Sequence, residues 1–332
     1  MTAARVAAII VNHDGAGHLL ACIDSLRAQS EPVDIVVVDN ASQDDSLALL
    51  GNEPEILVVA NRTNRGYAGG ANDGLSATKH PVVLVANPDT RFAPDHVARV
   101  LEVMDRDERV GSVQGRLLRF DGDDLPAVHE AVLDSCGHAI DRSRLFRNLG
   151  AGEPAWRWDT PAEVFGVTGA AAFHRRVMLE DIAIEKPDGS LEVFDETLFA
   201  FFEDVDLDWR ARLRGWTARY EPAAVGWHER GGRGTRRSRL VEELNFANRL
   251  LVVAKHDVWS PTSWPVMALA TLAKAALVGP RVLWACLRRL RTGWPDVRRD
   301  RRWIRARAVV APRKVVTQWV EPVSLAGRRW RR

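Results

Sequence analysis

The stretch VVLVANPDT, residues 82–90, puts five apolar residues directly ahead of an amide, a proline, a carboxylate and a hydroxyl. Residues 18–28 and residues 94–104, each of which follows an apolar run, place their apolar side chains at helical spacing. Apolar runs without polar alternation are typical of parallel strands buried on both faces. The pattern therefore predicts an α/β fold with a mostly parallel central sheet flanked by helices. Three more runs of this kind precede the quoted one, at residues 6–11, 35–38 and 56–60.

Polar side chains follow three of these predicted strands at the point where each strand ends. Asn12 follows the first run, Asp39 and Asn40 follow the second, and Asn87 and Asp89 follow the fourth. Open α/β sheets bind their ligands at the carboxyl ends of the parallel strands. These side chains are therefore candidates for one binding site at a single edge of the sheet.

Length, charge and cysteine content limit the class of protein. A chain of 332 residues that is 46% hydrophobic has room for one large α/β domain with an appendage, which excludes disorder throughout. The net charge of +2 is the sum of two oppositely charged parts of the chain. Residues 281–332 hold 16 Lys and Arg against 3 Asp and Glu, which leaves a net charge of −11 for the other residues. The three cysteines lie far apart without metal-ligand spacing, which favours a reducing, cytoplasmic compartment.

The carboxylate of Asp89 is a candidate metal ligand. An apolar strand delivers it to the predicted sheet edge, where a hard cation and a diphosphate would meet, and carboxylate oxygen suits Mg²⁺ or Mn²⁺. The alternative is that residues 87–90 form an ordinary turn, since these residue types dominate turns for conformational reasons. This segment alone leaves both interpretations open.

An acidic cluster at Glu203 and Asp204 directly follows an aromatic run. A carboxylate in partly apolar surroundings is a competent general base, so both residues are catalytic candidates. The alternative is a helix start, because acids in the first turn complement the helix dipole. On the second interpretation Leu207, Leu213 and Trp216 supply the buried face of that helix.

His228 follows a short strand that is predicted near residues 223–225. It precedes a predicted loop that contains several glycines and several arginines, among them Arg233. Imidazole ligates metals, and guanidinium groups neutralise diphosphates. The alternatives are a packed histidine and a solvated arginine-rich surface. The glycine-rich residues 64–74 lack the G-x-G-x-x-G spacing and do not follow the first strand, which disfavours a Rossmann dehydrogenase.

Taken in order, these segments resemble the family 2 glycosyltransferases of the GT-A fold, particularly the rhamnosyltransferase-like branch that builds bacterial cell-surface polysaccharide. The resemblance covers roughly residues 5–255. It implies a GT-A-type, Rossmann-like catalytic domain at 1–255 and a helical, arginine-rich extension at 256–332. It rests on these matching stretches: residues 36–42, 64–74, 87–89, 169–170, 202–206, 215–216 and 227–228.

The resemblance also implies roles for single residues. Asp204 is the expected catalytic base with Glu203 beside it, and Asp89 and His228 are the expected metal ligands. Asn87 stands where the family often has the first Asp of Asp-x-Asp, which leaves one fewer anionic ligand. The acceptor-binding candidates are Gly169, Ala170 and Trp209. The donor-binding candidates are Asn12, Asp39, Asn40, Arg65, Gly66, Asn72, Asn87, Asp89 and Arg233.

The implied activity is a single displacement with inversion, in which a sugar passes from a nucleotide-sugar donor to an acceptor hydroxyl with the help of one divalent metal ion, Mg²⁺ or Mn²⁺. The resemblance favours dTDP-L-rhamnose as the donor and a cell-surface glycan or polyprenyl-linked saccharide as the acceptor. Two alternatives remain: a nucleotidyltransferase of similar fold, and a non-catalytic nucleotide-sugar-binding or membrane scaffold protein.

Residues 264–287 are mostly apolar and are followed by dense arginine with several tryptophans. Aromatic and cationic anchors beside apolar helices predict peripheral attachment to an anionic membrane, at the inner face of the plasma membrane. Lys274, Gly279 and Pro280 argue against a spanning helix, and a soluble extension or an oligomer contact stays open. No recognised nucleic-acid motif accompanies the arginines, so nucleic acid is not expected as a partner.

Overall fold

The computed structural model describes residues 4–53, 55–122, 124–229, 239–258, 261 and 263–321. The strands are β1 Val6–Asn12, β2 Val33–Asp39, β3 Leu57–Ala60, β4 Val82–Ala86, β5 Thr90–Phe92, β6 Val110–Phe120, β7 Leu133–Ser135, β8 His138–Asp141, β9 Phe146–Asn148, β10 Ala162–Val164, β11 Ala171–Arg175, β12 Ile184–Glu185, β13 Leu191–Glu192, β14 Thr217–Glu229 and β15 Val320–Glu321. The helices are α1 Ala16–Arg27, α2 Ser46–Leu50, α3 Gly66–Ser76, α4 His96–Arg106, α5 Arg176–Ile182, α6 Glu203–Arg214, α7 Arg239–His256, α8 Trp264–Leu277, α9 Pro280–Arg307 and α10 Pro312–Trp319.

The first four predicted strands form the parallel part of a large mixed sheet. Along the sheet the strands run in the order β10, β14, β6, β11, β4, β1, β2, β3. Strand β1 pairs in parallel with both β2 and β4, and every residue of β1 is buried. The predicted α/β architecture and its parallel core are therefore confirmed, with strand bounds that differ by at most two residues. The prediction of burial on both faces is wrong for β3, which lies at the edge of the sheet and is partly exposed.

Helices cover both faces of this sheet. Val6, Ala8 and Ile10 of β1 join α1 and α4 in one buried cluster, whereas Ile9 and Val11 join α3, α5 and α6 in another. Successive side chains of a strand point to opposite faces, so a run without polar alternation can supply two cores at once. This is why the apolar run at residues 6–11 gave a reliable prediction.

The second half of the sheet brings distant segments to the end of β4. Strand β11 is antiparallel to β4, with Ala171 opposite Ala86, so β11 begins where β4 ends. Strand β14 is parallel to β6 and then pairs with β5, where His228 lies opposite Thr90. The sequence predicted only a fragment of β14, which in fact spans 13 residues.

The C-terminal helices pack against the part of the chain before residue 256 rather than standing apart from it. Helix α7 continues through the predicted boundary at residue 255, and its Lys255 ammonium lies 2.9 Å from Asp206 of α6 and 3.8 Å from Asp300 of α9. His256 contacts the same Asp206 at 2.7 Å. A buried ionic cluster thus joins α6, α7 and α9.

Candidate functional site

The ends of β1 and β2 form one hydrogen-bonded group because their register places Asn12 beside Asp39. The Asn12 amide donates to Asp39 at 3.0 Å and to Ser42 Oγ at 3.1 Å, and the Ser42 backbone N–H donates to Asp39 at 3.0 Å. Asn12 and Asp39 are both fully buried. Asp39 therefore fixes Asn12 and Ser42 at the strand ends, and its predicted contact with a donor nucleotide stays a prediction.

The start of α3 carries the next candidates. Asn40 donates to the carbonyl of Gly66 at 2.7 Å, and Gly66 has φ +70° with no room for a Cβ, which would lie 2.2 Å from the carbonyl oxygen of Phe199. Glycine is therefore needed here both for its backbone angle and for the close approach. The chain thereby anchors residues 199–202 against α3.

Arg65 and Asn72 converge on Glu196, a residue that the sequence analysis did not single out. The Arg65 guanidinium makes two hydrogen bonds to the Glu196 carboxylate at 2.7 and 2.9 Å and also pairs with Asp73. The Asn72 amide donates to Glu196 at 3.0 Å and to the Phe194 carbonyl at 2.8 Å. Both predicted donor-binding side chains are thus held by contacts within the protein.

Asp89 and His228 come together as predicted, through the pairing of β5 with β14. Asp89 Oδ1 lies 3.3 Å from His228 Nε2, and Asn87 Nδ2 lies 3.5 Å from the same nitrogen. The other ring nitrogen, Nδ1, donates to Asp134 at 2.9 Å. Burial acts to lower the pKa of His228, but its contacts with Asp134 and Asp89 outweigh burial and raise the pKa to about 9.

Asp134 was missed because it lies within residues 110–165, where the sequence shows no clean periodicity. It reaches His228 only because β7 pairs with β6, which in turn pairs with the end of β14. Asp134 itself is fully buried. No local signal in the sequence connects it to a histidine that is 94 residues away.

The Asp89 and His228 pair fits a divalent cation in two respects. Within the ranges that the structure describes, Asp89 Oδ1 is buried and accepts no hydrogen bond. A histidine that binds metal usually donates its second ring nitrogen to a carboxylate, as His228 does to Asp134. Among the described residues, no group of three or more His, Cys, Asp or Glu side chains is arranged to hold a metal.

Asp204 opens α6 and is fixed at both carboxylate oxygens. Oδ1 accepts from the backbone N–H of Val205 at 2.8 Å, and Oδ2 accepts from the backbone N–H of Gly169 at 3.0 Å. The side chain keeps 19% exposure, whereas the residue Glu203 is only 5% exposed. Burial and the neighbouring Asp204 charge raise the pKa of Glu203 well above its usual value. Asp204 is therefore the more accessible carboxylate of the two.

The prediction that Trp209 contacts the acceptor is wrong. Trp209 has no exposed surface and stacks on His256, with 5.5 Å between the ring centroids. Its position five residues after Asp204 turns it away from the face that carries the base, since an α-helix repeats every 3.6 residues. The tryptophan belongs to the core between α6 and the C-terminal helices.

A hydrogen-bonded connection joins the two halves of the site. The backbone N–H of Asn87 donates to the carbonyl of Ala170 at 2.9 Å, and the adjacent Gly169 binds Asp204. The loop before β11 therefore lies between the strand end that carries Asp89 and the helix start that carries Asp204. Gly169 and Ala170 are close to the predicted base, as an acceptor site requires. Arg233 lies outside the described residues.

The model of the family described as "Glycosyl transferase family 2" matches residues 7–181, more than half of the chain. The chain belongs to this family. The matched segment contains the Asn12, Asp39, Asp89 and Asp134 positions, while Asp204 and His228 lie beyond it. Family 2 membership favours glycosyl transfer over the nucleotidyl transfer that the sequence left open.

A curated relative supports the same assignment over most of the chain. An N-acetylglucosaminyl-diphospho-decaprenol L-rhamnosyltransferase of Mycobacterium tuberculosis is 24% identical over 297 residues, covering 81% of this chain and 92% of the relative. A poly-β-1,6-N-acetyl-D-glucosamine synthase of Staphylococcus aureus is 22% identical over 229 residues, covering 64% of this chain and 50% of the synthase. The family 2 chain is thus similar to proteins of cell-wall and polysaccharide synthesis.

Solved structures show the same fold, which is that of GT-A glycosyltransferases. GalNAc-T7 with UDP, GalNAc and Mn²⁺ superposes with a TM-score of 0.63 at 14% identity, covering 95% of this chain and 57% of GalNAc-T7. S. aureus TarS in complex with UDP-GlcNAc gives a TM-score of 0.53 at 14% identity, covering 91% of this chain and 83% of that TarS fragment. The family 2 chain therefore spans little more than half of the GalNAc-T7 chain.

Proposed function

We propose that this family 2 glycosyltransferase moves a sugar, with inversion, from dTDP-L-rhamnose to a hydroxyl of a lipid-linked saccharide. The observation that carries the proposal is the placement of two functional groups at one edge of the sheet: the half-buried Asp204 carboxylate and the Asp89 and His228 pair. The M. tuberculosis relative, whose name specifies a rhamnosyl donor group and a diphospho-decaprenol acceptor, supports the choice of substrates.

Asp204 acts as the base in this proposal. Its carboxylate takes the proton of the acceptor hydroxyl while the acceptor oxygen bonds to the anomeric carbon, and the bond from that carbon to the nucleoside diphosphate breaks. Two backbone N–H groups already orient the carboxylate. A base positioned in this way needs little rearrangement when the acceptor binds.

Asp89 and His228 hold the divalent cation in this proposal, and Asp134 orients the imidazole. When bound, Mg²⁺ or Mn²⁺ supplies positive charge against the leaving diphosphate. Of the predicted donor-binding side chains at this sheet edge, Arg65 is 38% exposed and is suited to contact the nucleotide, whereas Asn12 and Asn40 are buried and hold the strand ends. Two of the structural neighbours contain Mn²⁺ with a nucleotide or nucleotide sugar, which agrees with this arrangement.

Substrate and base are tested by two measurements on the purified chain. A panel of nucleotide sugars is scored for metal-dependent thermal stabilisation, and dTDP-L-rhamnose should raise the melting temperature most. Asp204→Asn should abolish transfer while keeping that stabilisation, whereas Asp89→Ala and His228→Ala should lose it. Asp188→Asn, on an exposed turn, is the matched control. Near-normal turnover by Asp204→Asn would overturn the base assignment.

The C-terminal helices supply the membrane contact that the acceptor requires. No described helix is long and apolar enough to cross a membrane. Helix α8 has no buried residue, and its most exposed side chains form one apolar stripe along the helix. The stripe consists of Trp264, Ala268, Leu269, Leu272, Ala276 and Leu277. An apolar stripe exposed in this way is suited to insert at the boundary between the lipid headgroups and the acyl chains.

Helix α9 adds a second exposed stripe, in which arginines alternate with tryptophans. Arg288 lies over the ring of Trp284, 5.9 Å from its centroid. Each arginine near an anionic surface contributes about 1 kcal/mol, so the combined charge favours phosphate headgroups. The exposed stripe consists of Arg281, Trp284, Arg288, Arg291, Trp294 and Arg298. Both helices together place the protein on the inner face of the plasma membrane in this proposal.

Vesicle sedimentation tests this surface. Vesicles with anionic headgroups should capture the chain in low salt and zwitterionic vesicles should not, because the arginines supply most of the attraction. Leu269→Glu with Leu272→Glu should weaken capture, whereas Leu191→Glu, an equally exposed leucine outside these helices, should leave it unchanged. Equal capture of the double variant would show that α8 does not enter the interface.

A further inference from the structure

His138 of β8 lies between two carboxylates of α6. Its Nδ1 donates to Asp208 Oδ2 at 2.8 Å, and its Nε2 lies 3.5 Å from Asp204 Oδ2. Asp204 and Asp208 are four residues apart, so they share one face of the helix, one turn from each other. The imidazole therefore bridges the predicted base, Asp204, and a second acid, Asp208, one helical turn further along α6.

The loop before β11 closes around this bridge. The backbone N–H of Val167 donates to Asp208 at 3.1 Å, and that of Gly169 donates to Asp204 at 3.0 Å. A Cβ at Gly166 would lie 1.7 Å from Asp208 Oδ2, so only glycine lets the loop pass this close. His138 itself is 5% exposed and donates its backbone N–H to the Gly166 carbonyl at 2.9 Å.

The charges that face His138 come mainly from α6. Asp204 and Asp208 contact the ring, and Arg212 lies one further turn along α6, where its charge acts on Asp208. From α3, the Tyr67 hydroxyl donates to the Gly169 carbonyl and adds no charge. Two carboxylates against one imidazole favour the imidazolium form.

Burial of an imidazole acts against its charged form. For His138 the charge of Asp204 and the hydrogen bond to Asp208 outweigh burial and raise the pKa above its usual value. Two carboxylates one helical turn apart otherwise repel each other. A cation between them offsets that repulsion, although burial still leaves the pKa of Asp208 above its usual value.

We propose that His138 is a positioning residue for the base: held by Asp208, its ring places a positive charge beside the Asp204 carboxylate and keeps that carboxylate oriented toward the acceptor. This inference rests on the proposed role of Asp204 and assigns a function to His138 and Asp208 that the proposed reaction does not include. The bridge thereby holds a half-buried carboxylate in place for the acceptor hydroxyl.

The pH dependence of kcat/KM tests the bridge, because its acid limb reports protonation of the base in the free enzyme. In His138→Gln the cation is lost, so the acid limb should move to higher pH by about one unit or more. A variant with lowered turnover but an unmoved acid limb would show that His138 only supports the fold.

Asp208→Asn is the matched variant, because it removes a negative charge from the same bridge. The asparagine oxygen can still accept from Val167, and His138 still has Asp204 as a partner. Because Asp208 no longer holds the imidazolium, the acid limb should move to higher pH as in His138→Gln, but by less, since Asp204 still favours the charged ring. An acid limb that moves in His138→Gln but not in Asp208→Asn would contradict the role of Asp208 in holding the imidazolium.

A measurement on the unmodified chain covers the case in which His138→Gln does not fold. In ¹⁵N-histidine-labelled protein at pH 7, both ring nitrogens of His138 should resonate as an imidazolium. A neutral ring at that pH would overturn the inference even if Asp204→Asn is inactive. Conversely, an active Asp204→Asn would overturn the base assignment without altering the protonation of His138.

Discussion

The carboxylate of Asp134 fixes which nitrogen of His228 faces Asp89. Nδ1 donates to Asp134 at 2.9 Å, so Nε2 is the nitrogen that points toward the predicted metal position. Partners behind a metal-binding histidine set its tautomer and ring orientation. The arrangement makes Asp134 an indirect but necessary part of the metal site that we propose.

Asp134→Asn should weaken Mn²⁺-dependent donor binding by about 10- to 100-fold, the usual effect of losing such a partner. Titration calorimetry of the nucleotide sugar with and without Mn²⁺ measures the change. Asp95→Asn, which removes an exposed carboxylate that contacts Arg99 on α4, should bind like the wild type. Unchanged Mn²⁺ dependence in Asp134→Asn would place the metal away from His228.

The sequence could identify Asp89, Asp204 and His228 as candidates but not Asp134 or His138. The first three occupy ordered, recognisable segments, so a resemblance reaches them. The other two depend on pairing between β6 and β7 and on packing of β8 against α6, which local periodicity does not encode. The wrong prediction for Trp209 also came from packing that the local sequence does not show. An aromatic residue beside acids suggests a contact with a sugar, but the face of α6 on which Trp209 lies is known only from the structure.

The segment before α6 holds an uncommon backbone conformation. Phe199, Phe201 and Phe202 have positive φ values of 65°, 67° and 74°, a region that costs a non-glycine residue about 1–3 kcal/mol. Asn248 of α7 donates to the carbonyls of Leu198, Ala200 and Phe201 at 2.8–2.9 Å. The strained turn that presents Asp204 is therefore held by the C-terminal part of the chain.

Asn248→Ala should lower the free energy of unfolding by about 1–3 kcal/mol for each carbonyl that stays buried without a donor, and should reduce kcat more than donor affinity. Chemical denaturation and steady-state kinetics measure both effects. Asn245→Ala removes a half-buried asparagine of the same helix that donates to the carbonyl of Val241 within that helix, and it should change neither. Equal behaviour of the two variants would show that the turn holds its shape without α7.

At the level of elements, periodicity predicted the strands that are buried on both faces and failed at β14. Side chains of β14 alternate between buried and part-exposed along the strand, and polar Thr217, Arg219 and Glu221 interrupt its apolar pattern. Only the short apolar piece near residues 223–225 was therefore recognisable. Pairing with β6 and β5 supplies what the local sequence lacks.

At the scale of the whole molecule, the C-terminal helices complete the core of the domain predicted at residues 1–255. Arg144 makes two buried hydrogen bonds to Asp257, at 2.9 and 3.0 Å, and Arg301 of α9 donates to the carbonyl of Asp257 at 3.0 Å. Val297 and Ile304 of α9 lie in the same buried cluster as Trp209. The boundary predicted at residue 255 would cut through these contacts.

A chain ended at residue 255 should lose the cooperative thermal transition, because it exposes the apolar faces of α6 and α7 and leaves buried charges unpaired. A chain ended at residue 321 should keep that transition, since every contact named above lies before that point. Differential scanning calorimetry distinguishes the two. Cooperative unfolding and donor binding by the shorter chain would establish residues 1–255 as an independent domain.

Buried neutral histidines set the acid sensitivity of the molecule. Burial lowers the pKa of His96 and His256 to about 4 and that of His174 to about 3. Because an unfolded histidine titrates near pH 6.5, the unfolded chain binds more protons below that pH. Each of the three therefore contributes stability that is complete above pH 6.5 and is lost as the pH falls toward its folded pKa.

His174→Asn should remove the contribution of one histidine to the pH dependence of the free energy of unfolding. Between pH 6.5 and 4, the free energy of unfolding of the wild type should fall more steeply than that of the variant, by up to about 1.4 kcal/mol per pH unit. Urea denaturation across this range measures both slopes, and other titrating groups cancel in the difference. His129→Asn, whose side chain is 78% exposed, should keep the wild-type slope. Parallel curves for His174→Asn and the wild type would mean that His174 is protonated inside the fold, with Ser112 at 2.9 Å accepting a hydrogen bond from a charged ring.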